Sequence, residues 1–505
     1  MSKNLIFCFD GTCNDPEDAA QEETFTGGAK DNSITNVLKL HLLLGGDFKK
    51  VVIPPDDTQK SLYYSGVGTY GSKFKRAFNA ALAPENLDVR DIINDGLDDF
   101  NAFYEDNDRI FIFGFSRGAA IARRFASILQ LDHGNPPVRF LGVFDTVASI
   151  GIPNLSKKDR PASDVVFERG HTIAGNITEA LHLVSLDDKR KAFQPTLMNY
   201  EDRVTEIWFP GAHADVGGGY HRDGLSDVTL RLMLDELDRR SLGLRIIPPS
   251  KVDYAKLLPD NAGYSIDFSD VIIEPDIFSK NHQQRRPPMT AWLTLDDREL
   301  RVNENDLKSE RKPVVHHSVT ERIYGDREYR PKSLQGVQHK ILSPDGSRKE
   351  YMGLQHHQET GMRPLSALQS GESKDVIIYA HQKYNRTGLM LQKGVKYTFE
   401  VKGDQTWKDG GVTCGPEGWD RSDVTLGLKE IAIAGMEPFR RCPDANWFAL
   451  IGCIGDNDEN SFLIGDEKTL HTPLRSAEFS AFANDLSRSY GNNQGRIRLT
   501  VTRLD

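Results

Sequence analysis

Cysteine is scarce, with five in 505 residues at positions 8, 13, 414, 442 and 453. An odd and widely scattered set excludes a disulfide-stapled scaffold and a clustered zinc site, and it fits synthesis in a reducing compartment. Long apolar runs are missing too. Nothing approaches the ~18 uninterrupted apolar residues that a membrane-spanning helix needs. The opening MSKNLIFCFDGTCN sets one lysine before a short apolar run that ends at Asp10 without a small-residue cleavage site, so it does not read as a secretory leader. Excess positive charge is also absent, the formal net charge being -10. A dedicated nucleic-acid binder would carry a basic face, so nucleic acid is not expected as a partner.

What is present points to more than one domain, because a chain of 505 residues exceeds a single hydrophobic core at roughly 100–200 residues per domain. Over the first 235 residues short apolar runs alternate with longer amphipathic stretches, the pattern of an α/β fold with a mostly parallel sheet. LIFCF (5–9), RIFIFGF (109–115), RFLGVFD (139–145) and VTEIWFPG (204–211) read as buried strands. Helical spacing recurs at about 34–44, 86–104, 118–130, 176–192 and 226–241, the last placing Val228, Leu230, Leu232, Met233 and Leu237 on one face. Between 296 and 373 the chain turns polar and gains Pro313, Pro331, Pro344 and Pro364. From 374 onward VIIYA, KYTFEV, WFALIGCIG, SFLIG, EFSAFA and RIRLTVTRL are short runs divided by Gly, Asp and Asn turns. The expected organisation is therefore an α/β region at 1–325, a polar connector at 326–373 and an all-β sandwich at 374–505.

Gly114-Phe115-Ser116-Arg117-Gly118 joins an apolar strand directly to an Ala-rich helix. This is the pattern of a nucleophile elbow, in which a tight, strained turn lifts the serine hydroxyl above the sheet and aims the following N–H at a developing oxyanion. A serine nucleophile needs a base and an acid to orient that base, both at the ends of later strands. Asp145 closes RFLGVFD and His213 follows EIWFPG, giving the order Ser, Asp, His of a hydrolase sheet. Asp215, beside the run Gly217-Gly218-Gly219, is an alternative acid. Asp10-Gly11-Thr12 closes the first strand, so the oxyanion hole is assigned to the N–H groups of Arg117 and of Gly11 or Thr12. This chemistry calls for no cofactor.

Two further features invite a reading. GSKFKRAFNAAL (71–82) sets Phe74 and Phe78 at helical spacing among Lys73, Lys75 and Arg76, as a half-buried surface helix or a lid helix at a lipid interface would. His316-His317 and His356-His357 lack a ligand set of defined spacing and read as structural.

Together FDGTCN, YYSGVGT, GFSRGAAIAR, FDTVASIG, SLDDKRKAF and WFPGAHADVGGGY, over roughly residues 1 to 325, resemble the type VI secretion lipase effector family. The resemblance implies an α/β-hydrolase fold and phospholipase A activity, with Ser116 as nucleophile, Asp145 as acid and His213 as base. It also implies an antibacterial toxin made in the bacterial cytoplasm without a signal peptide and delivered into rival cells. A phospholipid membrane surface, the secretion apparatus and an immunity protein are the partners it brings. A soluble carboxylesterase of another substrate and a non-catalytic carbohydrate-binding adaptor remain the alternatives.

CGPEGW (414–419), ANWFALIGCIGD (445–456) and FANDLSRSYGNNQGRIRLTVTR (482–503) resemble the calcium-dependent galactophilic lectins of bacteria. That resemblance implies a calcium ion held by Asp485, the Ser489 carbonyl, Asn492 and Asn493, with a further carbonyl near Asp409 or Gly410. Such hard oxygen donors suit calcium. Carbohydrate is the implied ligand, although the family's sugar-contacting His has no counterpart in GPEGWDRSDV.

Overall fold

The computed structural model describes residues 2–11, 34–48, 58–66, 85–148, 173–220, 224–258, 265–283, 288–326, 328–360, 365–423, 430–455, 457–466, 468–487 and 489–504. The chain divides into two compact units. One takes in the described residues up to 319 together with 331–356, and the other takes in 320–330 and the described residues from 357 on.

The first unit is built on a nine-stranded sheet. Its strands are β1 (Asn4–Phe9), β2 (Gln59–Tyr64), β3 (Arg109–Phe115), β4 (Val138–Phe144), β5 (Ala180–Ser185), β6 (Val204–Phe209), β7 (Val314–His316), β8 (Gln338–Leu342) and β9 (Arg348–Met352). They lie in the order β9-β8-β7-β6-β5-β4-β3-β1-β2. Every neighbouring pair is parallel except the β8–β9 hairpin. A parallel sheet needs crossover segments, which cover both of its faces. The two-residue period of β1 shows the result. Leu5, Phe7 and Phe9 point into one core with Ile92, Phe100, Phe125 and Leu129. Ile6 and Cys8 point into the opposite core with Val37, Leu40, Met233 and Leu237. The helices that supply these residues are α1 (Asn36–Leu43), α2 (Glu85–Phe103), α3 (Ser116–Asp132) and, after the short α4 (His213–Gly217), α5 (Gly224–Arg239). At about 1.5–3 kcal/mol per buried large side chain, the two faces of β1 alone are a major source of stability.

Three local expectations change. The helix expected over 176–192 is instead strand β5, buried at all six positions between β4 and β6. A strand covered on both faces reads as a continuous apolar run, which periodicity alone cannot separate from helix. β2 is a strand that sequence pattern missed, since QKSLYY interleaves polar residues with its apolar ones. Residues 326–373, read as a polar connector, contribute β8 and β9 to the sheet edge, and the exposure of four of the five residues of β9 explains the polar sequence there. The helix expected at 71–82, on the surface or as a lid, lies outside the described residues.

The second unit carries antiparallel sheets, one of six strands and one of four. Strand Asn493–Arg503 is the hub of the larger sheet, pairing with Ser373–Tyr379, Tyr397–Val401 and Trp407–Asp409. Strands Leu450–Ile454 and Ala477–Ala483 pair at the centre of the smaller sheet. Their inward faces share a core of Phe399, Trp407, Phe448, Leu450, Phe479, Ile497 and Leu499.

Candidate functional site

The strand β3 passes into α3 with no intervening loop, so the first helical residue is Ser116, at φ +57°. A non-glycine residue in the left-handed region costs on the order of 1–3 kcal/mol. The turn is held there by close packing. A methyl group on Gly114 would come within 2.7 Å of Ala119 Cα, and one on Gly118 would sit 2.2 Å from the Asp10 carbonyl oxygen. The first turn of α3 is thereby pressed against the end of β1, and a side chain at either glycine would force the elbow open.

Asp145 follows β4, is fully buried and is also at positive φ, +38°. His213 opens α4 just beyond β6. The three side chains meet at the carboxyl ends of the strands. His213 Nε2 lies 2.8 Å from Ser116 Oγ, and His213 Nδ1 lies 2.6 Å from Asp145 Oδ2. A carboxylate only accepts, so Nδ1 carries the proton and Nε2 is left to accept from the serine hydroxyl. Phe115 packs on the imidazole at 4.6 Å and Phe193 meets it edge-on at 5.0 Å, which fixes the ring plane. Burial pushes His213 below the ordinary imidazole value, against the pull of its hydrogen bond to Asp145.

The backbone leading into His213 is fixed by three different carboxylates. Gly211 N donates to Asp187 (2.7 Å), Ala212 N to Asp215 (2.7 Å) and His213 N to Asp188 (3.2 Å). Asp188 in turn grips Arg190, whose Nη2 is 2.6 Å from Oδ2. The motif SLDDKR is thus the cradle of the histidine loop.

Arg298 is the residue that sequence reading missed. Only 2% exposed, it donates from Nη1 to Asp145 Oδ1 (2.6 Å) and from Nη2 to Asp145 Oδ2 (2.8 Å). It also donates to the Ser185 carbonyl at 2.7 Å and the Phe193 carbonyl at 2.5 Å. Burial alone would push the Asp145 carboxyl up, but the Arg298 guanidinium and the His213 hydrogen bond together hold it well below the usual carboxylate range. Nothing in the polar stretch TLDDRELR marks this arginine out, because its partner lies 153 residues earlier in sequence.

The other predicted residues fall elsewhere. Asp215 does not reach His213. Its carboxylate accepts from Ala212 N and His282 N and sits 2.6 Å from His282 Nδ1, so it is a cap for α4 and an anchor for the 282 segment. The Gly11 amide donates to Asp10 Oδ1 at 2.6 Å, which engages one N–H group assigned to the oxyanion hole. Thr12 lies outside the described residues. Arg117 stands in the first turn of α3, where backbone N–H groups lack intrahelical acceptors and the helix dipole favours negative charge. His316 is buried, stacks on Phe209 at 4.5 Å and shares a hydrogen bond with Ser318. His357 Nδ1 is 2.9 Å from the Thr320 hydroxyl.

In the second unit the residues of the expected calcium site converge. Asp409 and Asn493 are cross-strand partners, and Asn492 Nδ2 donates to Asp409 Oδ1 at 3.0 Å. Ser489 closes the intervening turn, its N–H donating to the Leu486 carbonyl at 2.9 Å, and Gly410 N donates to the Asn492 carbonyl at 3.3 Å. Asp485 Oδ2 and Asn493 Oδ1 are buried acceptors without a hydrogen-bond partner. Burial, reinforced by the charge of Asp485, pushes Asp409 up to about 6. The buried Asp485 and the half-buried Asp409, with two unsatisfied oxygens, form a donor set that a hard cation would complete.

Residues 3–131 and 130–236 match the model of the type VI secretion phospholipase effector Tle1-like catalytic domain. An uncharacterized protein of Saccharomyces cerevisiae is 31% identical over 145 residues, which are 25% of this chain and 17% of that protein. A crystal structure of an uncharacterized protein from Pseudomonas aeruginosa is 20% identical with a TM-score of 0.33, covering 49% of this chain and 47% of that one. The structure of the Tle1 effector bound to the VgrG spike is 24% identical with a TM-score of 0.26, covering 44% of this chain and 51% of that one. The chain thus spans about half the length of these two solved chains. The N-terminal domain of EclA, a PllA-like lectin, is 18% identical with a TM-score of 0.18, covering 26% of this chain and 94% of that one.

Proposed function

From the premise that residues 3–236 match the catalytic domain of the Tle1-like type VI secretion phospholipase effectors, we propose that this chain is a serine-dependent phospholipase of the A type. The observation that carries the reading is the unbroken relay from Ser116 Oγ through His213 to Asp145, set on a strained elbow.

Ser116 Oγ attacks the acyl carbonyl of a glycerophospholipid while His213 Nε2 accepts its proton. Asp145, itself held by Arg298, keeps His213 in the tautomer that can do so and stabilises the imidazolium that forms. The carbonyl oxygen gains charge beside the amino end of α3, where the Arg117 N–H is the donor we assign to it. His213 then returns the proton to the leaving lysophospholipid oxygen. Water, activated by the same histidine, releases the fatty acid and restores Ser116.

The second unit would hold one calcium ion between Asp485, Asn492, Asn493 and the Ser489 carbonyl, with Asp409 at its edge. That ion would organise a surface-binding module, for which carbohydrate is the ligand class we assign, and it has no part in the hydrolysis. Delivery through the secretion apparatus into a target cell and neutralisation by an immunity protein in the producer complete the proposal.

The test is mass spectrometry of defined phospholipid vesicles incubated with the full chain. Wild type should release fatty acid and lysophospholipid, and Ser116→Ala should lose at least about a hundredfold in rate. Intact lipids with wild type, or near-native rates with Ser116→Ala, would reject the reading.

A further inference from the structure

The chain has five tryptophans. Trp208, Trp407, Trp419 and Trp447 are at most 5% exposed, whereas Trp292 is 78% exposed and the adjacent Leu293 is 50% exposed. Both stand near the end of a short helix, Pro288–Thr294. Two neighbouring large apolar side chains facing water forgo a substantial burial energy, and such pairs mark contact surfaces.

Their surroundings say which surface. Lys191 Nζ donates to the carbonyl oxygens of Trp292 (3.2 Å) and Leu293 (3.1 Å), capping the helix end with a cation. Arg190 forms a bridge with Leu295, and Asp296 N donates to the Lys189 carbonyl at 2.7 Å. The end of the helix that carries the apolar pair is therefore fastened to Lys191 through its side chain and to Lys189 and Arg190 through their backbone. The same tripeptide borders the catalytic residues, because Arg190 lies 3.4 Å over the Phe193 ring and Phe193 contacts His213. Just beyond Leu293 the chain reaches Arg298, which holds Asp145.

We propose, building on the phospholipase reading, that Trp292 and Leu293 are a wedge by which the rim of the Ser116 site enters the interface of an anionic phospholipid bilayer. Lysines 189 and 191 face the headgroup phosphates. Lys189 also reaches Asp297 at 3.5 Å, with both side chains 34% exposed. A half-buried pair held only at this distance is weak enough for a headgroup to displace. An indole beside an aliphatic side chain and flanking cations is the combination that partitions to the headgroup boundary. A wedge at this position would bring the scissile ester to the serine without the lipid leaving the membrane.

The experiment uses full-length Ser116→Ala, so that the lipids stay intact, with vesicles of phosphatidylethanolamine and phosphatidylglycerol. Since the other four tryptophans are buried, a red-emitting component of the fluorescence belongs to Trp292. Vesicles should shift it to the blue, and lipids brominated in the acyl chain should quench it. Trp292→Ser with Leu293→Ser should weaken vesicle binding at least about tenfold, equivalent to ~1.4 kcal/mol. In the active protein the same pair should lower the ratio of vesicle hydrolysis to soluble short-chain ester hydrolysis by a similar factor. Unshifted emission at saturating vesicle, or an unchanged ratio, overturns the wedge. Lipid hydrolysis by wild type with unshifted Trp292 emission would refute the wedge alone. A blue shift without any lipid hydrolysis would keep the wedge and reject the phospholipase reading.

Discussion

Replacing Arg298 with glutamine strips the cation from a carboxylate that has no access to water. Asp145 is fully buried and Arg298 nearly so, and both oxygens of the acid lean on the guanidinium. Removing one partner of such a buried pair costs about 3–5 kcal/mol, because the remaining charge is stranded. The carbonyls of Ser185 and Phe193 lose their donor as well, although the glutamine amide can serve one of them. A net loss of ~4 kcal/mol corresponds to a fall in Tm of roughly 6 °C for a unit of more than about 300 residues.

The pH dependence follows from the direction of the Asp145 shift. Its carboxyl is held below the usual range in the folded state. That contribution to stability is present above the unfolded value of ~3.9 and disappears as pH falls through the lower folded value. The gap in Tm between wild type and Arg298→Gln should therefore be widest near neutrality and close toward acid. In catalysis the charge of Asp145, no longer shared with arginine, acts on His213 undivided and favours the imidazolium. The acidic limb of the kcat/KM profile should then move to higher pH. Scanning calorimetry from neutral to acid pH and a pH–rate profile on a soluble ester read out both effects. A variant that melts within about 2 °C of wild type with its acidic limb unmoved would refute the role of Arg298.

Asp145→Asn should cost about 10⁴ in kcat, since an amide can present the wrong partner to His213 Nδ1. Asp215→Asn should chiefly lower Tm by loosening the Ala212 and His282 contacts, and the reverse ranking of kcat losses would move the acid to Asp215. In the second unit, millimolar calcium should raise the melting transition of the full chain above its value in chelator by mass action, and Asp485→Asn should erase that gain. Asp409, raised to about 6, favours the folded state while protonated and loses that benefit as pH rises through this value. Calcium affinity measured by titration calorimetry should accordingly weaken below pH ~6, where Asp409 keeps its proton. Identical melting with calcium and with chelator would reject the metal site.

The placing of Ser116, His213 and Asp145 was legible because each follows a strand with a strong apolar signature, and because the two glycines of the elbow flank the serine two residues away on either side. What escaped depended on tertiary position. The strand β5 looked helical, since burial on both faces removes the alternation that identifies a strand. Arg298 sits in a charged stretch indistinguishable from solvated surface, and only the fold brings it under Asp145. The rival Asp215 could not be separated from Asp145 by spacing along the chain, whereas in space its oxygens are already spent on Ala212 and His282. Gly11 was assigned to the oxyanion hole from the turn it makes, but the side chain of its neighbour Asp10 claims its N–H.

The position of Arg298 in the chain has a consequence for the order of events during synthesis. A ribosome moving at ~5–20 residues per second finishes His213 roughly 4–17 s before it reaches Arg298. Throughout that interval the nascent chain has Ser116, Asp145 and His213 but lacks the cation that makes the buried carboxylate tolerable. The relay therefore locks only after the segment that follows the matched catalytic region has emerged and folded back. A chain stopped before that point has Ser116, His213 and Asp145 but not the guanidinium that compensates the buried carboxylate.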